Sequence, residues 1–240
     1  MSNLERIRKA ERESHIEMYN NNELFTEGSW LARPVRTIME LFPFYENYSC
    51  INVLDLAAGV GRNAIPIAER FSDRECNVDC VDLLDIAIKK LLENSRRNGI
   101  EEHITGIVQT IDDFKIEKSA YDLIIAVSSL EHMDSKDSLE RKLNEMKEGI
   151  RSNGIICFIM NSEVVEIEKE TGEELAPQFE VNIKTEALMS MLDEVYGDWQ
   201  CIKKTVVPQK YNIPRGDKIA ELSTNVITYV VRKEKEVESE

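Results

Sequence analysis

Histidine and cysteine are scarce in this sequence. Its 240 residues include three histidines (His15, His103, His132) and five cysteines (Cys50, Cys76, Cys80, Cys157, Cys201). The cysteines are odd in number, scattered, and form no Cys/His pairs at zinc-like spacing, so neither a metal centre nor a disulfide framework is expected. Reduced thiols acting as small hydrophobes in strands are the simpler reading. Positive charge is also short. With 30 Lys and Arg against 45 Asp and Glu, the net charge is −15, the wrong field for wrapping phosphate backbones or docking on anionic lipid. Neither nucleic acid nor membrane is expected as a partner, and no apolar run approaches the ~20 residues of a bilayer span. The opening MSNLERIRKAERESHIEM lacks an apolar signal region and is too acidic for a transit peptide, which makes the cytoplasm the expected compartment. No linker and no internal repeat interrupts the chain. The expectation is one α/β domain over 35–240, preceded by a helix and lid segment over 1–34, as a monomer or homodimer.

What is present is an alternation of short apolar runs with amphipathic helices. INVLDLA (Ile51–Ala57) is nearly continuous in its hydrophobicity, as a strand buried on both faces of a parallel sheet should be. CNVDCVD (Cys76–Asp82), ITGIVQT (Ile104–Thr110), YDLIIAVSS (Tyr121–Ser129) and GIICFIMN (Gly154–Asn161) repeat the pattern. Leu84, Ala87, Ile88 and Leu91 mark one helical face and Leu139, Leu143, Met146 and Ile150 another. These are five strands with helical crossovers. SEVVEIEKETGEELAPQF, which follows, is too polar for core and reads as an excursion over the sheet edge. A helix with Leu188, Leu192 and Val195 leads to WQCIKKTVV and STNVITYVV, expected to pair antiparallel. PQKYNIPRGDKIAEL between them reads as a loop and the tail RKEKEVESE as a solvated end.

The sharpest motif is VLDLAAGVGRNA (Val53–Ala64), a strand running into a tight turn and a helix. Gly59, Gly61 and Ala64 satisfy G-x-G-x-x-G/A, a weak pattern alone, since the glycines also serve merely to turn the chain. Asp55, four residues before Gly59, sharpens it: a carboxylate there repels a pyrophosphate and suits a cationic ligand. S-adenosylmethionine, with a sulfonium, an α-ammonium group and no phosphate, is such a ligand. Asp82 ends the second strand 21 residues beyond Gly61, where an acid accepts hydrogen bonds from ribose hydroxyls or caps the following helix. A nicotinamide-dependent oxidoreductase would suit the glycines and Asp82 but not Asp55, and a catalytic Tyr-x-x-x-Lys pair is not expected.

VLDLAAGVGRN, CVDLLD, YDLIIAVSSLEHM and the final antiparallel pair resemble the class I S-adenosylmethionine-dependent methyltransferases, and are similar in particular to small-molecule branches such as the tellurite-resistance group. The resemblance implies a doubly wound, Rossmann-like seven-stranded α/β sheet in order 3-2-1-4-5-7-6 with strand seven antiparallel. It implies that Asp55, Ala57, Gly59 and Gly61 face the methionine and ribose side of the cofactor, that Asp82 holds the ribose and that Leu83 lies against adenine. Thr110 and Ile111 stand where the family often has an adenine-binding Asp, with Asp112 and Asp113 just beyond. Val127 and Ser128 would line the cofactor from the other side.

SSLEHM (Ser128–Met133) holds the position that faces the transferred methyl in that family. It lacks the Asn/Asp-Pro-Pro-Tyr/Phe motif of base-amino methyltransferases, and no Pro-Cys pair serves cytosine attack. A small-molecule methyl acceptor is therefore expected. Methyl transfer mainly needs alignment and exclusion of water. If a base is used, His132 is first candidate and Glu131 second; a lone His opening a helix also serves for packing or capping. Tyr19, Trp30 and Arg33 resemble a lid over the cofactor, with Arg33 meeting the methionine carboxylate, though Trp30 would equally fill a core gap. Arg215 is a second lid candidate, for an anionic substrate. A methyltransferase-like protein that binds the cofactor without transfer remains a further reading.

Overall fold

A computed structural model describes residues 3–234. The five expected central strands form as β1 (Cys50–Leu56), β2 (Glu75–Asp82), β3 (Ile104–Val108), β4 (Tyr121–Val127) and β5 (Ile150–Glu168). They are followed by a two-residue β6 (Glu174–Leu175) and by β7 (Gln200–Arg215) and β8 (Lys218–Arg232). The sheet runs β3-β2-β1-β4-β5-β8-β7, with β6 added on β5. The β2-β3, β1-β2, β1-β4 and β4-β5 pairings are parallel; β8 is antiparallel to both β5 and β7. Apart from the short β6 this is the expected doubly wound order.

The helices are α1 (Asn3–Asn21), the single turn α2 (Arg36–Met39), α3 (Ala64–Arg70), α4 (Asp85–Arg97), α5 (Lys136–Gly149) and α6 (Thr185–Tyr196). Their apolar faces divide the core into two layers. Leu139, Leu143 and Met146 of α5 and Leu188 and Leu192 of α6 pack on one side of the sheet with Leu54, Ile124 and Phe158. Ile65 and Ile67 of α3 and Ile88 and Leu91 of α4 pack on the other with Val53, Val78 and Ile125. Buried on both faces, β1 and β4 can be almost uniformly apolar. Gly99, at φ +67°, ends α4 as its position suggests. Among the described residues no helix is long and apolar enough to cross a membrane. The part of the acidic tail beyond Glu234 lies outside the described residues.

Three expectations need correction. The connection from β3 to β4 contains no helix; Thr110–Asp113 closes it as a turn. Residues 163–168 are not an excursion but the end of β5, in which Ser162, Val164, Glu166 and Glu168 are buried and alternate with more exposed neighbours. Polarity hid this strand because its buried carboxylates are matched from far along the chain, Glu166 by Arg215 and Glu168 by Lys218. Pro208–Glu221 is likewise the body of the β7–β8 hairpin rather than a loop. Pro208 and Pro214 are tolerated in it because β7 is the sheet's edge strand.

Candidate active site

β1 and β4 lie side by side, Val53–Leu56 against Leu123–Ala126, and the chain leaves them in opposite directions, toward β2 and toward β5. That reversal opens a crevice outside their carboxyl ends, where open α/β sheets bind ligands. Every buried side-chain oxygen or nitrogen without a hydrogen-bond partner, among the described residues, lies in the chain at these two strand ends: Asp55 Oδ2, Ser129 Oγ and Glu131 Oε2. Buried polar atoms are normally paired, so three orphans at these strand ends mark a candidate ligand site.

Asp55 is 2% exposed. Burial, and secondarily the Asp82 charge, push its pKa up to about 7, with the Arg62 guanidinium opposing them. The turn that follows is built around left-handed backbone at Ala57 (φ +62°), Gly59 (φ +56°) and Gly61 (φ +94°). Gly61 is confined by packing as well, since a Cβ there would stand 2.5 Å from Leu91 Cδ1. Asp82 closes the turn from the next strand. Its Oδ2 accepts the Gly59 amide and its Oδ1 the Leu84 amide, each at 2.9 Å. Burial raises the Asp82 pKa, against the pull of those two amides and of His15 on α1. Asp82 is not the cap of α4, whose N-cap is Leu84 with no side-chain cap bond; it ties the turn together, and each of its oxygens keeps a lone pair for a further donor. Beside it Leu83 is 48% and Val108 54% exposed. Asp82 and Val108 are partners across β2 and β3, which puts both exposed apolar side chains at neighbouring strand ends. Val108 was not among the expected residues.

The N-terminal segment covers this turn. Tyr19 of α1 is 4% exposed, its hydroxyl 3.0 Å from where a Gly59 Cβ would stand. Trp30 meets Tyr19 edge-on at 6.3 Å and carries Arg62 over its ring at 5.0 Å. At 45% exposure Trp30 is no core filler. Arg62 also donates to the Trp30 carbonyl at 2.9 Å. It therefore joins the lid while its charge acts on Asp55, a role legible in hindsight because Arg62 is the first cation after the glycines. Arg8 of α1 pairs with Asp134, and Arg12 with Asp85 at 3.3 Å, tying the helix to both sides of the crevice. Arg33 is exposed at the end of the Trp30–Ala32 turn and makes no ion pair among the described residues.

On the β4 side Val127 is half-buried, and the exposed Ser128 adopts φ +48° with its amide donating to Ile159. Glu131 is 1% exposed; its Oε1 accepts the Asn161 amide at 3.1 Å and Asn161 Nδ2 at 2.6 Å. His132 stacks on Phe179, ring centroids 5.3 Å apart, with Nδ1 2.8 Å from Glu180 Oε2. Phe179 and Glu180 come from the loop after β6, and no local signal in the sequence ties them to His132. Thr110 donates to Asp113 at 2.7 Å within its turn, and Ile111 packs against the α5/α6 core layer. Arg215 lies far along the β7 arm in a two-bond pair with Glu166, both at 2.7 Å; its guanidinium fork is already engaged.

The spacing Tyr-x-x-x-Lys does occur once, at Tyr229 to Lys233. Tyr229 lies in β8, buried, donating to Asp193 at 3.0 Å. Along a strand the two residues stand about 13 Å apart instead of one helical turn, so they cannot act as a pair.

The strand order and the Asp–glycine turn–Asp arrangement at the switch point define a class I methyltransferase fold. Residues 53–154 match the family model described as methyltransferase domain. Solved structures share the fold. TehB from Haemophilus influenzae matches with TM-score 0.57 and 19% identity over 82% of this chain, which spans 62% of TehB's length. An S-adenosylmethionine-dependent methyltransferase from Methanosarcina mazei matches with TM-score 0.59 and 13% identity over 85% of this chain and 100% of its own. YcgJ from Bacillus subtilis matches with TM-score 0.58 and 13% identity, over 83% and 99%. No curated protein sequence matches significantly.

Proposed function

We propose that this protein transfers the methyl group of S-adenosylmethionine to a small-molecule acceptor. The observation that carries the reading is Asp55 Oδ2, a buried carboxylate oxygen with no partner at the end of β1. A ligand ammonium group completes it, whereas a dinucleotide pyrophosphate beside it is repelled. The residues fit the cofactor otherwise. Asp82 retains acceptor capacity for ribose hydroxyls, Leu83 and Val108 are exposed apolar side chains near it for a base, and Gly59 allows close approach of the backbone. When bound, the cofactor supplies an electrophilic methyl group on a sulfonium.

The chain's own residues align and enclose. Tyr19, Trp30 and Arg62 cover the glycine turn and exclude water, with Arg33 at the rim for the cofactor carboxylate. His132 serves as base for an acceptor that must lose a proton. Its Nδ1 stands 2.8 Å from Glu180 Oε2, a contact that orients the ring. A covered crevice and a net charge of −15 support a small acceptor over nucleic acid.

The test is titration calorimetry with S-adenosylmethionine, S-adenosylhomocysteine, NAD and NADP on wild type and Asp82→Ala. Micromolar binding of the sulfur ligands alone, weakened in the variant, is expected. Dinucleotide binding without sulfur-ligand binding overturns the proposal. Turnover against an acceptor panel then separates an enzyme from a cofactor-binding protein.

A further inference from the structure

We infer that the acceptor presents an amine to Glu131, so that the substrate class is amines rather than carboxylates or neutral alcohols. The inference rests on the methyltransferase reading for the meaning of "acceptor", but its evidence is separate. Three buried polar atoms at the switch point lack partners. Asp55 belongs to the β1 side, where Asp82, Gly59 and Arg62 converge. Ser129 Oγ and Glu131 Oε2 belong to the other side, two and four residues beyond the end of β4.

Glu131 is held there firmly. Asn161 grips its Oε1 with both backbone and side-chain nitrogens, and its carbonyl accepts the Val181 amide at 2.9 Å. A carboxylate that is 1% exposed, with one oxygen doubly bonded and the other bare, is complete only when a donor arrives. No Lys or Arg among the described residues supplies one. The surrounding field selects the donor's charge. Glu180 and Asp134 stand on the same side, both engaged by Arg8 and Glu180 by the His132 ring as well, and Phe179 adds an aromatic face against His132. Two acidic groups share one arginine and one histidine ring next to a third acid that, among the described residues, has no cation. A carboxylate-bearing acceptor meets net repulsion there, a neutral alcohol satisfies one hydrogen bond, and an amine satisfies both the hydrogen bond and the charge. Ser129 Oγ, the second orphan, can accept another amine hydrogen.

A probe series on one scaffold tests this: phenethylamine, 2-phenylethanol and 3-phenylpropionate, titrated into the full chain with and without saturating S-adenosylhomocysteine. The amine is expected to bind about tenfold or more tighter than either analogue. Glu131→Gln should abolish that preference while leaving the S-adenosylhomocysteine Kd within about twofold. The amide keeps shape and hydrogen bonding, and the thermal unfolding midpoint of the variant confirms folding. Equal or tighter binding of the carboxylate overturns the inference, as does failure of all three probes at millimolar concentration. An unchanged preference in Glu131→Gln overturns it too. Loss of S-adenosylhomocysteine binding in that variant assigns Glu131 to the cofactor, and tightening of the alcohol by MgCl2 assigns it to a metal ion; both overturn it. Amine preference in the arm without S-adenosylhomocysteine survives even if the cofactor reading fails, so the two failures are distinct.

Discussion

The Asp82 carboxylate holds the amide of Gly59, 23 residues earlier, at 2.9 Å while its other oxygen holds the amide of Leu84. One side chain thereby ties the glycine turn after β1 to the start of α4. Asp82→Ala leaves two buried amides without acceptors and is expected to cost about 1–3 kcal/mol in urea unfolding. Asp82→Asn, which keeps one acceptor oxygen, should cost less, yet both variants should weaken S-adenosylhomocysteine by about tenfold or more because the charged acceptor is gone. A variant that loses stability but binds normally would leave Asp82 a purely structural tie.

Asp55 makes binding and stability respond oppositely to pH. Its folded pKa is raised to about 7, against ~3.9 in an unfolded chain. Between these values the native state holds the proton more tightly, so stability falls as pH rises from about 4 to 7 and levels off above. Asp55→Asn should therefore be more stable than wild type at pH 8, by up to about 4 kcal/mol, and nearly equal to it at pH 4.

A ligand ammonium needs the ionised form of the same carboxylate. The S-adenosylhomocysteine Kd of the wild type should fall about tenfold between pH 6 and pH 8, and the Asp55→Asn profile should be flat. Calorimetry across that range reads both.

Two substitutions in the turn should act in opposite directions. Gly61→Ala places a Cβ 2.5 Å from Leu91 Cδ1 and 2.8 Å from Ile65 Cγ1 at φ +94°, and is expected to cost about 3 kcal/mol. Ala57→Gly relieves a left-handed non-glycine residue at φ +62° and should gain up to about 1 kcal/mol. Thermal melts of the pair would show whether Ala57 carries strain.

The β7–β8 arm rests on the Arg215–Glu166 pair. Glu166 is fully buried, so Arg215→Ala strands a carboxylate and should destabilise by about 3–5 kcal/mol. Glu166→Gln with Arg215→Met should recover most of that loss. Turnover and cofactor affinity at the far crevice are expected to change little in the double variant, provided it folds.

The parallel core was legible because its strands are buried on both faces and announce themselves as apolar runs; Val53–Leu56 and Leu123–Ala126 could hardly be anything else. Asp55, the glycines and Asp82 were legible for a related reason. A turn that needs left-handed backbone and a strand that ends in a carboxylate are local demands, written in consecutive residues. The arm was not legible, since Glu166 and Glu168 look solvated until Arg215 and Lys218 arrive from 49 and 50 residues away.

The sequence by itself thus determined the doubly wound sheet, its strand order by likeness, and the Asp–glycine turn–Asp arrangement at the crevice, because periodicity and turn chemistry act over a few residues. Only the tertiary structure decided the rest: that Arg62 joins Trp30 over the turn, that β5 runs on to Glu168, and that Glu180 and Phe179 stand against His132. Those pairings join segments whose separation carries no pattern, and burial alone makes a lone carboxylate find its partner or, at Glu131, wait for one.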